Sequence, residues 1–351
     1  MRKFVRHAAG VWLAAYGMFA AHSAAQAAYP AEHAQQIGVQ VDVGTFTESD
    51  AFQIKRTGFD FVRFGIWVNA MDEAAYRQNV ADAFANARAA GLPVLATFRS
   101  TDALVSAGAS ASQQAEMLQA AGRALASTVL EVTNTSSNRL LAIELWNEPD
   151  IADFWPTGNV TQTFEPYMRA VCEALHAGSL HVPVIGFGLA RPPELSATAA
   201  QLLEQLEPLT SCLDAVSYHA YDMTQQQVEA AKTDIRSHYR LPAFITEWGW
   251  SSVGANGPLL QAQEVANFLG WIRATGTPLV SIYEWKDAVS DSPRESNFGL
   301  LTAQGVPKPA LAAVAKALRE RNPALIASEQ KESGPSNVLR RRGWGALERL
   351  R

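Results

Sequence analysis

Cysteine is nearly absent. The 351 residues hold two, Cys172 and Cys212, with no cluster of histidines beside them. That excludes a Cys/His structural zinc site and a disulfide-dense scaffold. Charge is sparse too. Charged residues make up 18% of the chain, the formal net charge is −5, and neither sign clusters ahead of the C-terminal tail. Nothing in that pattern marks a nucleic-acid surface. Beyond the first residues no apolar stretch approaches the ~20 residues needed to span a bilayer. No Gly-rich phosphate turn follows an early strand pattern, which weighs against a doubly wound dinucleotide-binding sheet. No internal repeat is visible.

The two ends of the chain differ from its body. Arg2, Lys3 and Arg6 precede an apolar segment over residues 11–21, and Ala25-Gln26-Ala27 follows. A basic start, an apolar middle and a small-x-small end describe a secretory signal peptide, residues 1–27, cleaved after Ala27. The alternative is an uncleaved membrane anchor. The expectation is a secreted or periplasmic protein with no membrane span in the mature chain. Export permits a disulfide between Cys172 and Cys212, but two separate buried thiols are the preferred expectation. Residues 322–351 hold Pro323, Gly334, Pro335 and the run Arg340, Arg341 and Arg342. They are read as a basic, poorly ordered tail.

Between the ends, strand patterns alternate with helical ones. Strand patterns fall at residues 37–43, 59–66, 92–98, from 140 to the Trp-Asn-Glu-Pro turn, 182–190, 213–221, 242–250 and 279–286. Helical periodicity covers residues 73–90, 111–131, 164–177, 197–206, 225–239, 261–274 and 308–320. A further helix starts near Ser49, its expected cap, and ends at Gly58. Eight strands alternating with helices predict a parallel sheet closed into a (β/α)8 TIM barrel, a single domain over residues 28–321. A doubly wound sheet is the runner-up.

Two strand patterns end in chemistry. Residues 140–150 read LLAIELWNEPD: an apolar strand stopped by Pro149, which has no N–H for the ladder, with Asn147 and Glu148 at its tip. Residues 242–250 read PAFITEWGW, another apolar strand, tipped by Glu247. Strand tips form the catalytic face of such a barrel, and two carboxylates facing one another are the equipment of a glycosidase. Glu148 suits the acid that protonates the leaving oxygen, and Glu247 the nucleophile. Arg63, near the tip of the second strand, would hold Glu247 ionised. His219 or Tyr221 would donate to it and fix its rotamer. Trp285 is expected as a stacking floor for a sugar. Arg99, Trp67, Trp155 and Trp250 are further candidate contacts. Glu144, inside the fourth strand, is taken as structural, and Glu284, beside Trp285, is a rival carboxylate.

These residues together resemble a clan A glycoside hydrolase, the retaining β-glycosidases on (β/α)8 barrels. In that clan an Asn precedes the acid/base Glu at the end of the fourth strand, matching Asn147 and Glu148. The nucleophile ends the seventh strand, matching Glu247 in ITEWG. An Arg ending the second strand matches Arg63, a His-x-Tyr on the sixth matches His219 and Tyr221, and a Trp ending the eighth matches Trp285. The resemblance spans residues 37–320 and is similar to both the cellulase-like family 5 and family 39. One departure is Phe98-Arg99-Ser100 after the third strand, where family 5 cellulases carry a His. The resemblance implies that Asn147 binds the sugar 2-hydroxyl. It implies double displacement on a β-linked polysaccharide or oligosaccharide by a monomer, with no metal and no organic cofactor. The alternatives are a non-catalytic glycan-binding protein on a barrel scaffold and a transglycosidase, which would use the same residues with a sugar as acceptor.

Overall fold

Short runs of β-branched and apolar residues set the frame. In the computed structural model, which describes residues 35–136 and 140–321, seven such runs are regular strands. They are β1 Gln36–Gln40, β2 Phe61–Trp67, β3 Val94–Arg99, β4 Leu140–Leu145, β5 Val216–His219, β6 Ala243–Trp248 and β7 Leu279–Ile282. All pair in parallel, in the order β4-β3-β2-β1-β7-β6-β5. Eight helices alternate with them among the described residues: α1 Glu48–Thr57, α2 Ala74–Ala89, α3 Ala111–Ser136, α4 Val160–Ala177, α5 Ala197–Gln205, α6 Gln225–His238, α7 Gly257–Thr275 and α8 Pro309–Arg321. The protein is α/β, a curled parallel sheet in a TIM-like arrangement. No helix among the described residues is long and apolar enough to cross a membrane. The expected signal peptide, residues 1–27, and the tail, residues 322–351, lie outside the described residues.

The expected fifth strand is not a regular strand. Residues 183–189 run between β4 and β5 and bond to both. On one side Ile143 donates to the Pro183 carbonyl at 2.8 Å and Leu145 to that of Gly186 at 2.8 Å. On the other, Leu189 donates to Ser217 at 3.1 Å and His219 to Leu189 at 2.7 Å. The segment kinks because Gly186 and Gly188 have φ of 105° and 53°, a backbone region glycine adopts without steric cost. A Cβ at Gly188 would stand 3.0 Å from Glu144 Oε1 and 3.2 Å from His219 Nε2. The chain there passes directly against two interior side chains. The expected sixth, seventh and eighth strands are therefore β5, β6 and β7.

Caps account for the helix starts. Thr47, not Ser49, caps α1. Its hydroxyl accepts from the Asp50 N–H, and Asp50 reaches back to the Thr47 N–H, a reciprocal capping box. Gly58 ends the helix at φ 106°. Thr224 and Gln227 repeat the capping box on α6.

The inside of the curled sheet is layered. Phe61, Leu95, Ala142, Ile185, Ala215, Phe244 and Leu279 form one buried apolar cluster at its floor, separate from the larger core between sheet and helices. Gly38 leaves the room for it: a Cβ there would fall 2.3 Å from the Phe61 ring. Along β2 the alternation of the pleat then turns Arg63, Gly65 and Trp67 inward above Phe61. The expectation of two free thiols is overturned. Cys172 on α4 and Cys212 after α5 form a disulfide, their Cα atoms 5.1 Å apart. Helix packing brings together residues that sequence separation kept apart.

Candidate active site

Above the apolar floor lies a polar layer organised by Arg63, which is 1% exposed. Its Nη2 donates to Glu144 Oε2 at 2.6 Å and to Asn147 Oδ1 at 2.8 Å. Its Nε reaches Glu144 Oε2 at 3.1 Å, and its Nη1 reaches Glu247 Oε1 at 2.5 Å and Gln40 Oε1 at 2.9 Å. Two carboxylates on one guanidinium raise its pKa further, outweighing burial. Glu144, left as structural by the sequence, points into the interior. It also accepts from Thr97 Oγ1 at 2.8 Å and from Ser217 Oγ at 2.6 Å. Burial alone would raise its pKa, but the charges of Arg63 and His219 and these donors hold it below the ordinary carboxylate value. No periodicity shows which face of the sheet a strand Glu occupies, so its partners were illegible.

Glu148 stands on a strained turn. Trp146 has φ 99° and Glu148 φ 55°, values costly for residues with a Cβ. Trp146 is locked in place from behind. Its indole packs on Trp155 at 4.8 Å between ring centroids and on Tyr167 at 5.7 Å, and its N–H donates to the Phe154 carbonyl at 2.9 Å. The Glu148 N–H donates to the Gly188 carbonyl at 2.8 Å. With its backbone held on both sides, the Glu148 side chain is aimed back over the sheet. Asn147, 7% exposed, gives its carbonyl oxygen to Arg63, so its NH2 is the end left for a ligand.

Glu247 reaches the interior through an irregularity. Phe244 belongs to the apolar floor, and simple alternation would turn Glu247, an odd number of residues later, away from it. The register between β5 and β6 slips here: Tyr218 pairs Ile245, but His219 pairs Glu247. An extra residue of this kind re-aims a side chain. Glu247 then accepts from Arg63 on Oε1 and from Tyr221 Oη on Oε2 at 2.9 Å. Burial pushes its pKa up, but His219 and Arg63 outweigh that and hold it low.

His219 joins the two acids. Its Nδ1 lies 2.7 Å from Glu148 Oε1 and 3.6 Å from Glu247 Oε2. Burial lowers its pKa, and the nearby Glu247 and Glu148 more than reverse this. One carboxylate oxygen from each acid and a His219 ring nitrogen all lie within 4.8 Å of one another. The same three atoms are the one group among the described residues that offers metal ligands. Both Glu247 oxygens already accept hydrogen bonds, one from a guanidinium, which suits a nucleophile better than a ligand to a dication.

A cavity of about 1140 Å³ opens above these residues. Its lining includes Arg63, Trp67, Arg99, Asn147, Glu148, Tyr221, Glu247, Tyr283 and Glu284. Among the expected contacts, Trp67 and Arg99 are present, while Trp155 and Trp250 are not part of the lining. Trp155 is 1% exposed, packed in the aromatic cluster behind Trp146. Trp285 borders the cavity but is 2% exposed, its indole set edge-on to Phe59 and donating to Asp50 Oδ1 at 3.1 Å. That burial leaves little ring face for a sugar. The aromatic at the end of β7 with a place on the cavity is Tyr283, two residues earlier, which the sequence reading passed over. Glu284 accepts from the Ala288 N–H at 3.1 Å, and burial pushes its pKa up to about 8.

No family model matches the chain, and no curated protein matches it. Solved structures do. A family 39 glycoside hydrolase from Bacteroides cellulosilyticus WH2 superposes with a TM-score of 0.63 at 18% identity, over 81% of this chain and 63% of that one. This chain shares its fold with that enzyme. An exo-β-1,4-mannosidase from Opitutaceae bacterium strain TAV5 gives a TM-score of 0.62 at 14% identity, over 83% of this chain and 60% of that one. Fungal β-1,4-galactanases give 0.60 at 14% identity, with 81% of this chain covering 100% of theirs. This chain thus spans less than two thirds of the length of the first two. At such identities the likeness is one of fold, shared by clan A enzymes whose names cite different sugars.

Proposed function

We propose that this chain is an exported retaining β-glycosidase on a (β/α)8 barrel, the irregular segment 183–189 taking the place of the fifth strand and closing the barrel between β4 and β5. The observation that carries it is the pairing of Glu148 and Glu247, oxygens within 4.8 Å, in one cavity. Retaining enzymes hold their two carboxyl groups ~5–5.5 Å apart, and inverting ones ~6.5–9.5 Å, to admit a water. Their environments also differ. Glu247 is held ionised by His219 and Arg63, as a nucleophile needs. Glu148, the more exposed side chain, shares a hydrogen bond with a histidine.

In the proposed reaction Glu247 attacks the anomeric carbon while Glu148 gives its proton to the glycosidic oxygen. The carbon–oxygen bond breaks, the alcohol leaves, and the sugar is held as an ester of Glu247. The ester no longer carries the negative charge of Glu247. Glu148 takes a proton from water, which attacks the same carbon and releases Glu247. The Asn147 NH2 faces the cavity as a donor for a sugar hydroxyl. The basic, apolar and small-residue order of residues 1–27 supports export. A β-linked polysaccharide or oligosaccharide is the proposed substrate.

The test is hydrolysis of a panel of aryl β-glycosides and β-linked polysaccharides, with Glu148→Gln and Glu247→Gln alongside and the product anomer followed by NMR. Net retention, and loss of turnover in both variants, is the expected result. Full rate in Glu247→Gln, or an inverted product, refutes the mechanism.

A further inference from the structure

Among the described residues the cations around the cavity other than Arg99 each have a carboxylate or carbonyl partner. Arg63 binds Glu144 and Glu247. Lys286 binds Asp50 at 2.7 Å, Lys308 binds Asp287 at 2.5 Å, and Arg294 lies 3.8 Å from Asp222. Arg191 donates to the Tyr221 carbonyl. Arg99 is different. It ends β3, lines the cavity, and pairs with no carboxylate among the described residues. Its guanidinium carbon lies 4.0 Å from the centroid of the Trp67 ring, and its Nε is buried without a hydrogen-bond partner. A mostly buried guanidinium with only an aromatic face beside it is an incomplete site.

The surroundings leave room for what is missing. Gly65, on the same face of β2 as Trp67, has no side chain, and a Cβ placed there would meet only Arg99 Nε, at 3.9 Å. Glu247 and Glu148 act on Arg99 through space without binding it. Arg99, Glu148 and Glu247 line the same cavity. Of the acids near Arg99, Glu247 is ionised but already bound by Arg63 and Tyr221, and three others on the wall are matched by a cation or raised in pKa by burial. Asp50 and Asp287 are neutralised by lysines, and Glu284 keeps its proton below about pH 8. The planar guanidinium presents parallel N–H groups that match the two oxygens of a carboxylate, and a neutral hydroxyl uses only one of them.

We propose that Arg99 is the specificity residue of this cavity and selects a sugar bearing a carboxylate, a hexuronic acid unit of the glycan. This rests on the glycosidase reading for the identity of the ligand as a sugar, but its test can be run without turnover. The Glu247→Gln chain is titrated by calorimetry with a β-linked oligouronate and with the same oligosaccharide after reduction of its carboxyl groups. Binding of the oligouronate should be roughly 10- to 100-fold tighter. Adding Arg99→Gln should reduce that ratio to near one. Arg99→Lys, which keeps the charge but not the fork, should keep only part of it. Thermal unfolding of each variant confirms that it is folded. In the active chain, Arg99→Gln should lower kcat/KM for a uronate more than for its neutral counterpart, chiefly through KM.

Equal binding of the two oligosaccharides overturns the proposal, as does a preference that survives Arg99→Gln. A pyruvate-ketal-bearing glycan bound in place of the oligouronate overturns the assignment to a ring carboxylate. Cleavage of neutral glycosides with no uronate preference defeats this inference and leaves the glycosidase standing. Arg99-dependent uronate binding with no cleavage of any glycan does the reverse.

Discussion

Glu144→Gln is the sharpest perturbation of the polar layer, because it keeps the shape and removes the charge. Glu144 is fully buried and accepts four hydrogen bonds, two from Arg63 and one each from Thr97 and Ser217. A glutamine has one acceptor oxygen, and its NH2 would face groups that also donate. Removing one partner of a buried ion pair costs ~3–5 kcal/mol. Arg63 retains Glu247, so the lower end, about 3 kcal/mol, is expected. For a domain of this size that corresponds to a fall in Tm of about 5 °C. The pH dependence has a definite sign. Because the folded pKa of Glu144 is depressed, its stabilisation is complete above the unfolded carboxylate pKa and disappears as pH falls through the folded one. The gap between native and Glu144→Gln proteins in urea denaturation should therefore be widest near neutral pH and narrow in acid. A gap below about 1 kcal/mol at pH 7, or one that widens in acid, would refute the reasoning.

Two further outcomes are expected. The raised pKa of Glu284, about 8, means the folded protein holds a proton that the unfolded chain releases, so between its unfolded pKa and about 8 stability falls as pH rises. Glu284→Gln should remove that slope and stabilise the protein at pH 8 by on the order of a few kcal/mol, against little at pH 4.5; equal effects at both pH values would exclude it. The Cys172–Cys212 bridge closes a loop with a sequence separation of 40, so the double Cys→Ser variant should lose about 4 kcal/mol in chemical denaturation, and an unchanged midpoint would show that the bridge does not constrain the unfolded chain.

Much of the arrangement was legible because it follows from periodicity and punctuation. Gly58 stops α1 where its chemistry says it must, whereas β4 ends at Leu145, ahead of Pro149. Glu148, Glu247, Asn147, His219 and Tyr221 converge because each follows an apolar run, and parallel strands carry such residues to one end; Arg63, expected near the tip of its strand, lies instead near the start of β2 and reaches them from below. What escaped the sequence depends on events that have no period. The slip beside Glu247 and the glycine kinks at Gly186 and Gly188 change which way side chains face without altering composition. Trp285 is drawn toward α1 by its hydrogen bond to Asp50, and Tyr283 lines the cavity beside it. Glu144 was legible as a buried acid but not as the partner of Arg63. The disulfide depends on α4 packing beside the segment that follows α5.

Arg63 serving two carboxylates has a consequence for the proposed ester. In the resting protein Arg63, Glu144 and Glu247 sum to one negative charge. Once Glu247 is esterified the sum is zero. With a single carboxylate partner, glycosylation of Glu247 would strand a buried cation at a cost of ~3–5 kcal/mol. Glu144 prevents that, so the deepest part of the site is electrically balanced in the covalent state rather than in the waiting one. The strand residue that never meets the sugar would thus set how long-lived the glycosyl-enzyme is.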